Sequence, residues 1–308
     1  MSLILILLGA LPGAWPPAPD PRLQRALAYL VREVPSWPEE NHCFSCHNNG
    51  DAARALFAAR RLGHEVPVGA LASTLRWLSD PEKWDSLPGD PLFSDKRLAR
   101  IQFASALADA LDARVLVDRG VLIQAAESLL PFQHPDGYWP LAGGRVLGNP
   151  VTYGIPLATH FARRTLLHAG PDRFREPAAR AARWLATVSL ANVPDAAAVI
   201  LAALPYDSEP AVQYLLRAQA STGGWGPYPK SPPEPFDTAV ALLALNSVLR
   251  PDLAPAMRRG RAWLAQTQLA EGCWPETTRP SGAQSYAQRV STAGWATLAL
   301  LHTISLER

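Results

Sequence analysis

Apolar side chains recur along most of the chain at three- and four-residue intervals, and two kinds of stretch alternate. The first kind is amphipathic and carries an aromatic-Leu or Ser-Leu pair: Tyr29-Leu30, Trp77-Leu78, Ser128-Leu129, Trp184-Leu185, Tyr214-Leu215 and Trp263-Leu264. The second kind follows each of these, at 51–62, 94–111, 152–167, 195–204, 237–249 and 292–304, and is apolar on nearly every side. A helix with one apolar stripe can face water on its other side, whereas a helix apolar all round must be buried. Six of each in alternation predict six helical hairpins, and the pairs recur at 30–56 residues, mostly in the range of two-helix repeats. An open solenoid would expose the inner helices and usually carries polar capping repeats, which do not occur here. The pattern predicts an all-α fold, a closed (α/α)6 toroid of six helical hairpins, as a single domain over 20–308. Strand alternation is scarce, and the Pro-rich segments 139–150 and 227–235 read as loops.

Composition narrows the function classes. With 29 Lys+Arg against 27 Asp+Glu, the net charge of +2 gives no electrostatic argument for a nucleic-acid partner. Thirty prolines are about twice the usual share, yet 48% hydrophobic content is ordinary, so disorder is a poor reading. Residues 3–11 form an apolar run too short by about ten residues to span a bilayer, followed by small residues up to Ala14. Although no basic residue precedes Arg22, this pattern predicts a signal peptide over 1–14 and a periplasmic or otherwise extracytoplasmic location. No other stretch reaches about 18 apolar residues, so the mature chain is expected not to be transmembrane.

Three loops share a tighter spacing: Gln133-x3-Gly137-x-Trp139, Gln219-x3-Gly223-x-Trp225 and Gln268-x3-Gly272-x-Trp274, each with its Gln four residues after the repeat Leu. Gly supplies the left-handed turn at a helix end, Trp caps the seam between repeats, and Gln can bond freed backbone groups. The motif resembles that of the squalene/hopene cyclases and, more loosely, of the protein prenyltransferase β-subunits, over about residues 20–305. That resemblance implies a ring of inner and outer helices around a cavity that holds an apolar isoprenoid. It also implies two inherited chemistries, and the best-matching stretch departs from both. Where the cyclases carry their protonating Asp, this chain has Phe236, and a phenyl ring cannot act as a general acid. Where the prenyltransferases carry a zinc-binding Cys two residues after an Asp, Asp237 is followed by Ala239. Asp51, Asp195 and Asp237 all stand at inner-helix starts, which reads as N-cap or first-turn carboxylates answering the helix dipole. Trp84 and Tyr138 join the loop tryptophans as expected seam packing, and Cys273 as a small apolar residue.

The chemistry stated most clearly is Cys43-Phe44-Ser45-Cys46-His47, the attachment pattern of c-type haem. Each thiol adds to one haem vinyl group, and the adjacent His becomes the proximal iron ligand. Zinc would need two further ligands at a matching spacing, and a redox dithiol reads better beside a βαβ unit. The expectation is one covalent haem c on Cys43, Cys46 and His47, in a loop at 38–50 on the rim of the ring. His134, in the third loop at the same end, is the favoured candidate for the opposite axial position, with His42 and His160 as others and an open site as the alternative. The leading functional expectation is electron transfer or haem-dependent redox chemistry at the mouth of an apolar cavity, with a redox partner protein and an apolar small molecule as partners. The alternatives are a terpene cyclase- or prenyltransferase-like enzyme and a non-enzymatic binding scaffold.

Overall fold

The computed structural model describes residues 20–85, 95–142, 153–202, 207–277 and 285–307. The segment 1–14 and much of the loop 139–150 lie outside the described residues.

Twelve α-helices are present among the described residues, alternating between an outer and an inner ring. The outer helices are α1 (Pro21–Asn41), α3 (Gly69–Leu78), α5 (Arg119–Leu129), α7 (Arg175–Leu185), α9 (Glu209–Ala218) and α11 (Ala254–Thr267). The inner helices are α2 (Ala53–Arg61), α4 (Lys96–Asp112), α6 (Ile155–Ala169), α8 (Val193–Leu201), α10 (Pro235–Ser247) and α12 (Tyr286–His302). Polar caps start many of them: the Asp95 carboxylate accepts from the amides of Arg97 and Leu98, and Asn192 and Ser285 cap α8 and α12 in the same way. Each inner helix packs on the next, and α12 packs on α2, so the ring is closed. The fold is the (α/α)6 toroid that the alternation of helix types implies. No described helix is long and apolar enough to cross a membrane.

The three Gln-x3-Gly-x-Trp loops have one geometry. Each Gln donates from Nε2 to its own Gly carbonyl and to a carbonyl of the next outer helix: Pro177 for Gln133, Ala256 for Gln219 and Arg22 for Gln268, all at 2.9 Å. An arginine of that next helix returns a bond to the Gln Oε1, from Arg180, Arg259 and Arg25 respectively. The Trp indole donates to the repeat Leu carbonyl, 2.8 Å for Trp139 to Leu129, 2.7 Å for Trp225 to Leu215 and 2.8 Å for Trp274 to Leu264. Glycine is required because φ is positive, +95° at Gly272, and a Cβ there would lie 2.3 Å from the Arg25 carbonyl oxygen. The Gln268 copy ties α11 to α1 and so fastens the last repeat to the first. The expectation that Gln serves freed backbone groups holds, and the carbonyl of the neighbouring repeat is the part that the local sequence could not show.

The first hairpin departs from expectation. Pro35 and Pro38 do not stop α1, which continues to Asn41 and ends at His42 in a left-handed conformation (φ 53°). A π-helical turn, Cys46–Ala52, then precedes α2, its start capped by the Ser45 hydroxyl accepting from the amides of His47 and Asn48. The expected loop at 38–50 is therefore four residues, 42–45, and the inner helix begins about five residues earlier than its apolar pattern suggests. Gly294 of α12 lets the backbones meet here, since a Cβ would stand 2.7 Å from the Ala52 Cα.

Candidate functional site

Cys43, Cys46 and His47 lie together on the rim, at the end of the ring where outer helices lead into inner ones. Both thiols are free and partly exposed. The Trp37 indole donates to Cys43 Sγ at 3.3 Å, and Cys46 Sγ stands 3.5 Å from His47 Nδ1. The turn is anchored on every side. Asn49 Nδ2 donates to the Val34 carbonyl and to Thr74 Oγ1, Asn48 Nδ2 to the Glu33 carbonyl and the Tyr286 hydroxyl, and Phe44 stacks on Trp77 at 4.6 Å. Burial, with Asp51 adding to it, pushes the Cys46 thiol up to about 12, and burial lowers the His47 imidazole against the opposing pull of Asp51.

The donor set fits a c-type haem. Such a group asks for two unoxidised thiols and an adjacent imidazole, and this turn supplies them beside the rings of Trp37, Phe44 and Trp77. A protein-only zinc site asks for more, and among the described residues no three His, Cys, Asp or Glu side chains converge. The candidate for the opposite axial position does not join this group. His134 stacks on Tyr138 at 4.4 Å and pairs with Asp136 at 3.4 Å, while Tyr138 packs on Trp184 of α7. His160 faces the far end of the ring, and His42 ends α1.

Behind the turn lies a buried hub. Asp51, fully buried, accepts hydrogen bonds from Gln102 Nε2 of α4 at 2.7 Å, from the Tyr153 hydroxyl just before α6 at 2.8 Å and from Ser291 Oγ of α12 at 2.7 Å. This corrects the N-cap reading of Asp51. It sits inside the π-helical turn, where Ser45 already serves the free amides, and it joins four repeats across the axis. Asp195 and Asp237 do lie in the first turns of α8 and α10. Burial raises Asp195 to about 6, opposed by the Asn192 hydrogen bond.

Aromatic rings fill the axis beside the hub. Trp295 meets Phe236 at 5.4 Å, Phe161 at 5.4 Å and Tyr153 at 5.6 Å, all edge to face. Phe236, at the place of the cyclase acid, is fully buried in this cluster. A cavity of about 270 Å³ opens instead at the opposite end, where all six inner helices contribute to its wall. The haem was expected at the mouth of an apolar cavity; at that loop end a pocket of about 670 Å³ lies between the third and fourth repeats, lined by Tyr138, Leu141, Ile155, Trp184, Asn192 and Asp195, whereas the cavity at the opposite end mixes leucines and aromatic rings with Arg54, Arg164, Asp109 and Asp112. Sequence reasoning missed this charged end, because the stretches 51–62 and 94–111 were read as apolar on nearly every side and Arg54 and Asp109, 55 positions apart, were not singled out.

No protein-family model matches the chain, and no curated protein matches its sequence. Solved structures do match. The apo type II terpene cyclase MstE from Scytonema superposes with a TM-score of 0.58 at 15% identity, over 92% of this chain and 98% of that one. A protein described as glycosidase E178A gives a TM-score of 0.61 at 12% identity, over 92% and 97% of the two chains. The ent-copalyl diphosphate synthase from Streptomyces platensis gives 0.54 at 18% identity, over 81% of this chain and 50% of that one. At such identities the likeness is one of fold: the chain shares the helical toroid of type II terpene cyclases, and its chemistry has to be argued from its own residues.

Proposed function

We propose that this chain is an extracytoplasmic single-haem c-type protein built on a terpene-cyclase-like toroid. Cys43 and Cys46 would hold the haem through thioethers and His47 would ligate its iron. Bound there, the group supplies a one-electron redox centre. The observation that carries the reading is the grouping of two free thiols and an imidazole on one anchored turn at the rim. The protein's own part is to fix that turn through Asn48, Asn49 and Ser45 and to surround it with Trp37, Phe44 and Trp77. His134 would keep its stack with Tyr138 and its contact with Asp136 rather than join Cys43, Cys46 and His47 in holding the group, which would then be accessible to small ligands. A rim position also leaves the group within reach of a redox partner.

The test is maturation in a haem-c-competent host. Absorbance that stays with the protein after acid-acetone extraction, disappears in Cys43→Ser/Cys46→Ser and shifts with carbon monoxide is expected. Extractable haem, or binding indifferent to the double substitution, overturns the proposal.

A second reading is an enzyme acting on an isoprenoid, and the comparisons lean towards it, since two of the structures named above are a type II terpene cyclase and an ent-copalyl diphosphate synthase. The supporting observation is the aromatic-lined axis with the buried Asp51–Tyr153 pair beside Phe236. Turnover of squalene or of a prenyl diphosphate by the Cys43→Ser/Cys46→Ser protein would establish it in place of the haem reading.

A further inference from the structure

The far end of the toroid holds polar groups for which neither the haem turn nor the fold has a use. Arg54, 6% exposed, gives Nε to Asp109 at 2.7 Å and lies against the rings of Phe161, 4.4 Å to the centroid, and Trp295, 5.0 Å. On its remaining side it faces the Tyr153 hydroxyl, already bonded to Asp51. Its Nη1 is buried and has no hydrogen-bond partner. Arg164 binds Asp109 at 2.5 Å and Asp112 at 3.2 Å through Nη2, and its Nη1 is buried without a partner as well. Both arginines line the cavity.

The charges around it do not cancel. Arg54, Arg61 and Arg164 face two carboxylates, Asp109 and Asp112, which leaves one positive charge. The nearby histidines do not add to it. Burial, with Arg164, Arg163 and Arg54, lowers His160 to about 3, and burial also lowers His302. Asp109 is itself fully committed: burial pushes it up, but Arg164 and Arg54 outweigh burial and hold it at about 2. A buried guanidinium N–H left unpaired is costly, and two in one cavity are unusual in a finished fold. The remaining wall is apolar, formed by Leu201, Leu243 and Leu298 with the two rings. A volume of about 270 Å³ corresponds to about nine waters at roughly 30 Å³ each.

We propose that this cavity binds an organic monoanion of about ten heavy atoms, its carboxylate bonded to Arg54 Nη1 and Arg164 Nη1 and its apolar body packed on Phe161, Trp295 and the leucines. One surplus positive charge matches a carboxylate better than a phosphate dianion, and the apolar wall gives a bare inorganic ion nothing to pack on. The cavity lies at the opposite end of the inner helices from Cys43 and His47, so the proposal is independent of the haem.

Titration calorimetry of the full chain with octanoate as probe tests it, with octanol and inorganic phosphate as comparators. Octanoate is expected to bind with one-to-one stoichiometry, and octanol and phosphate at least about tenfold more weakly, the worth of a charge-assisted hydrogen bond. Arg164→Gln should weaken octanoate by a similar factor. Ala58→Leu, which places extra carbons in the cavity from α2, should abolish binding while leaving the circular dichroism spectrum unchanged. The proposal is overturned if octanoate gives no saturable heat at millimolar concentration. It is equally overturned if octanol or phosphate binds as well as octanoate, or if a folded Arg164→Gln or Ala58→Leu protein binds it undiminished.

Discussion

Substituting Asp51 by Ala separates two accounts of that carboxylate. If Asp51 only answered the dipole of its helix, removing it would cost about 0.5–2 kcal/mol and would be indifferent to Tyr153. The structure instead gives it three donors from three other repeats, Gln102, Tyr153 and Ser291, with both side-chain oxygens used. Each donor stranded in a dry interior costs about 1–3 kcal/mol. A water in the vacated space, bonded by the same three groups, would recover part of that, so the expected loss is about 3 kcal/mol or more. Tyr153→Phe removes one of the three bonds and should cost about 1 kcal/mol. In the double variant that bond is lost only once, so the two costs should fall short of additive by about 1 kcal/mol. Urea unfolding at fixed m-value measures all three, provided every protein is in the same state of haem maturation. A loss below about 1 kcal/mol for Asp51→Ala, or strict additivity with Tyr153→Phe, would refute the hub.

The loop motif makes sharper demands on glycine than on glutamine. Gly272→Ala should cost about 2 kcal/mol or more, because its Cβ would press on the Arg25 carbonyl as well as strain φ; Gly63→Ala, with φ +85° and nothing within 4 Å, should cost only about 1 kcal/mol. Gln268→Ala should lower hydrogen-exchange protection at the start of α1, and Gln133→Ala should do so in α7 instead; equal effects at both places would contradict the pairing of repeats. Asp195 is raised by burial from 3.8 to about 6, so its contribution to stability is complete below about pH 4 and is lost as pH rises through 6. Asp195→Asn should therefore exceed the parent in stability at about pH 7.5 by on the order of 2 kcal/mol, with the gap closing below about pH 4.

The toroid was legible because its signals are local. Stripe against all-round apolarity sorts the helices into two rings, and a Gln, a Gly and a Trp at fixed spacing mark three of the seams. The grouping of Cys43, Cys46 and His47 on one turn was legible for the same reason, since the three residues span five positions. What escaped was built from long separations. The donors to Asp51 lie 51, 102 and 240 positions away, and Asp109 stands 55 positions from each of its two arginines. A carboxylate at a helix start has a complete local explanation, so nothing near Asp51 in the sequence announced three distant partners. The π-helical start was hidden by polarity: Asn48 and Asn49 look like loop residues until their anchors in α1, α3 and α12 are in place.

Those anchors set an order of events during biosynthesis. The backing of the Cys43–His47 turn comes from opposite ends of the chain, with Glu33 and Val34 on one side and Tyr286 and Ser291 on the other. A chain made from its amino terminus exposes the two thiols long before the sixth hairpin exists to back their turn. Until α12 is in place, Asn48 lacks its Tyr286 contact and Asp51 lacks Ser291, so the backing of the turn is incomplete. Docking of the last hairpin then sets the turn and joins α11 to α1 through Gln268. Ring closure therefore acts as the final step that seals whatever chemistry has been done at the first repeat.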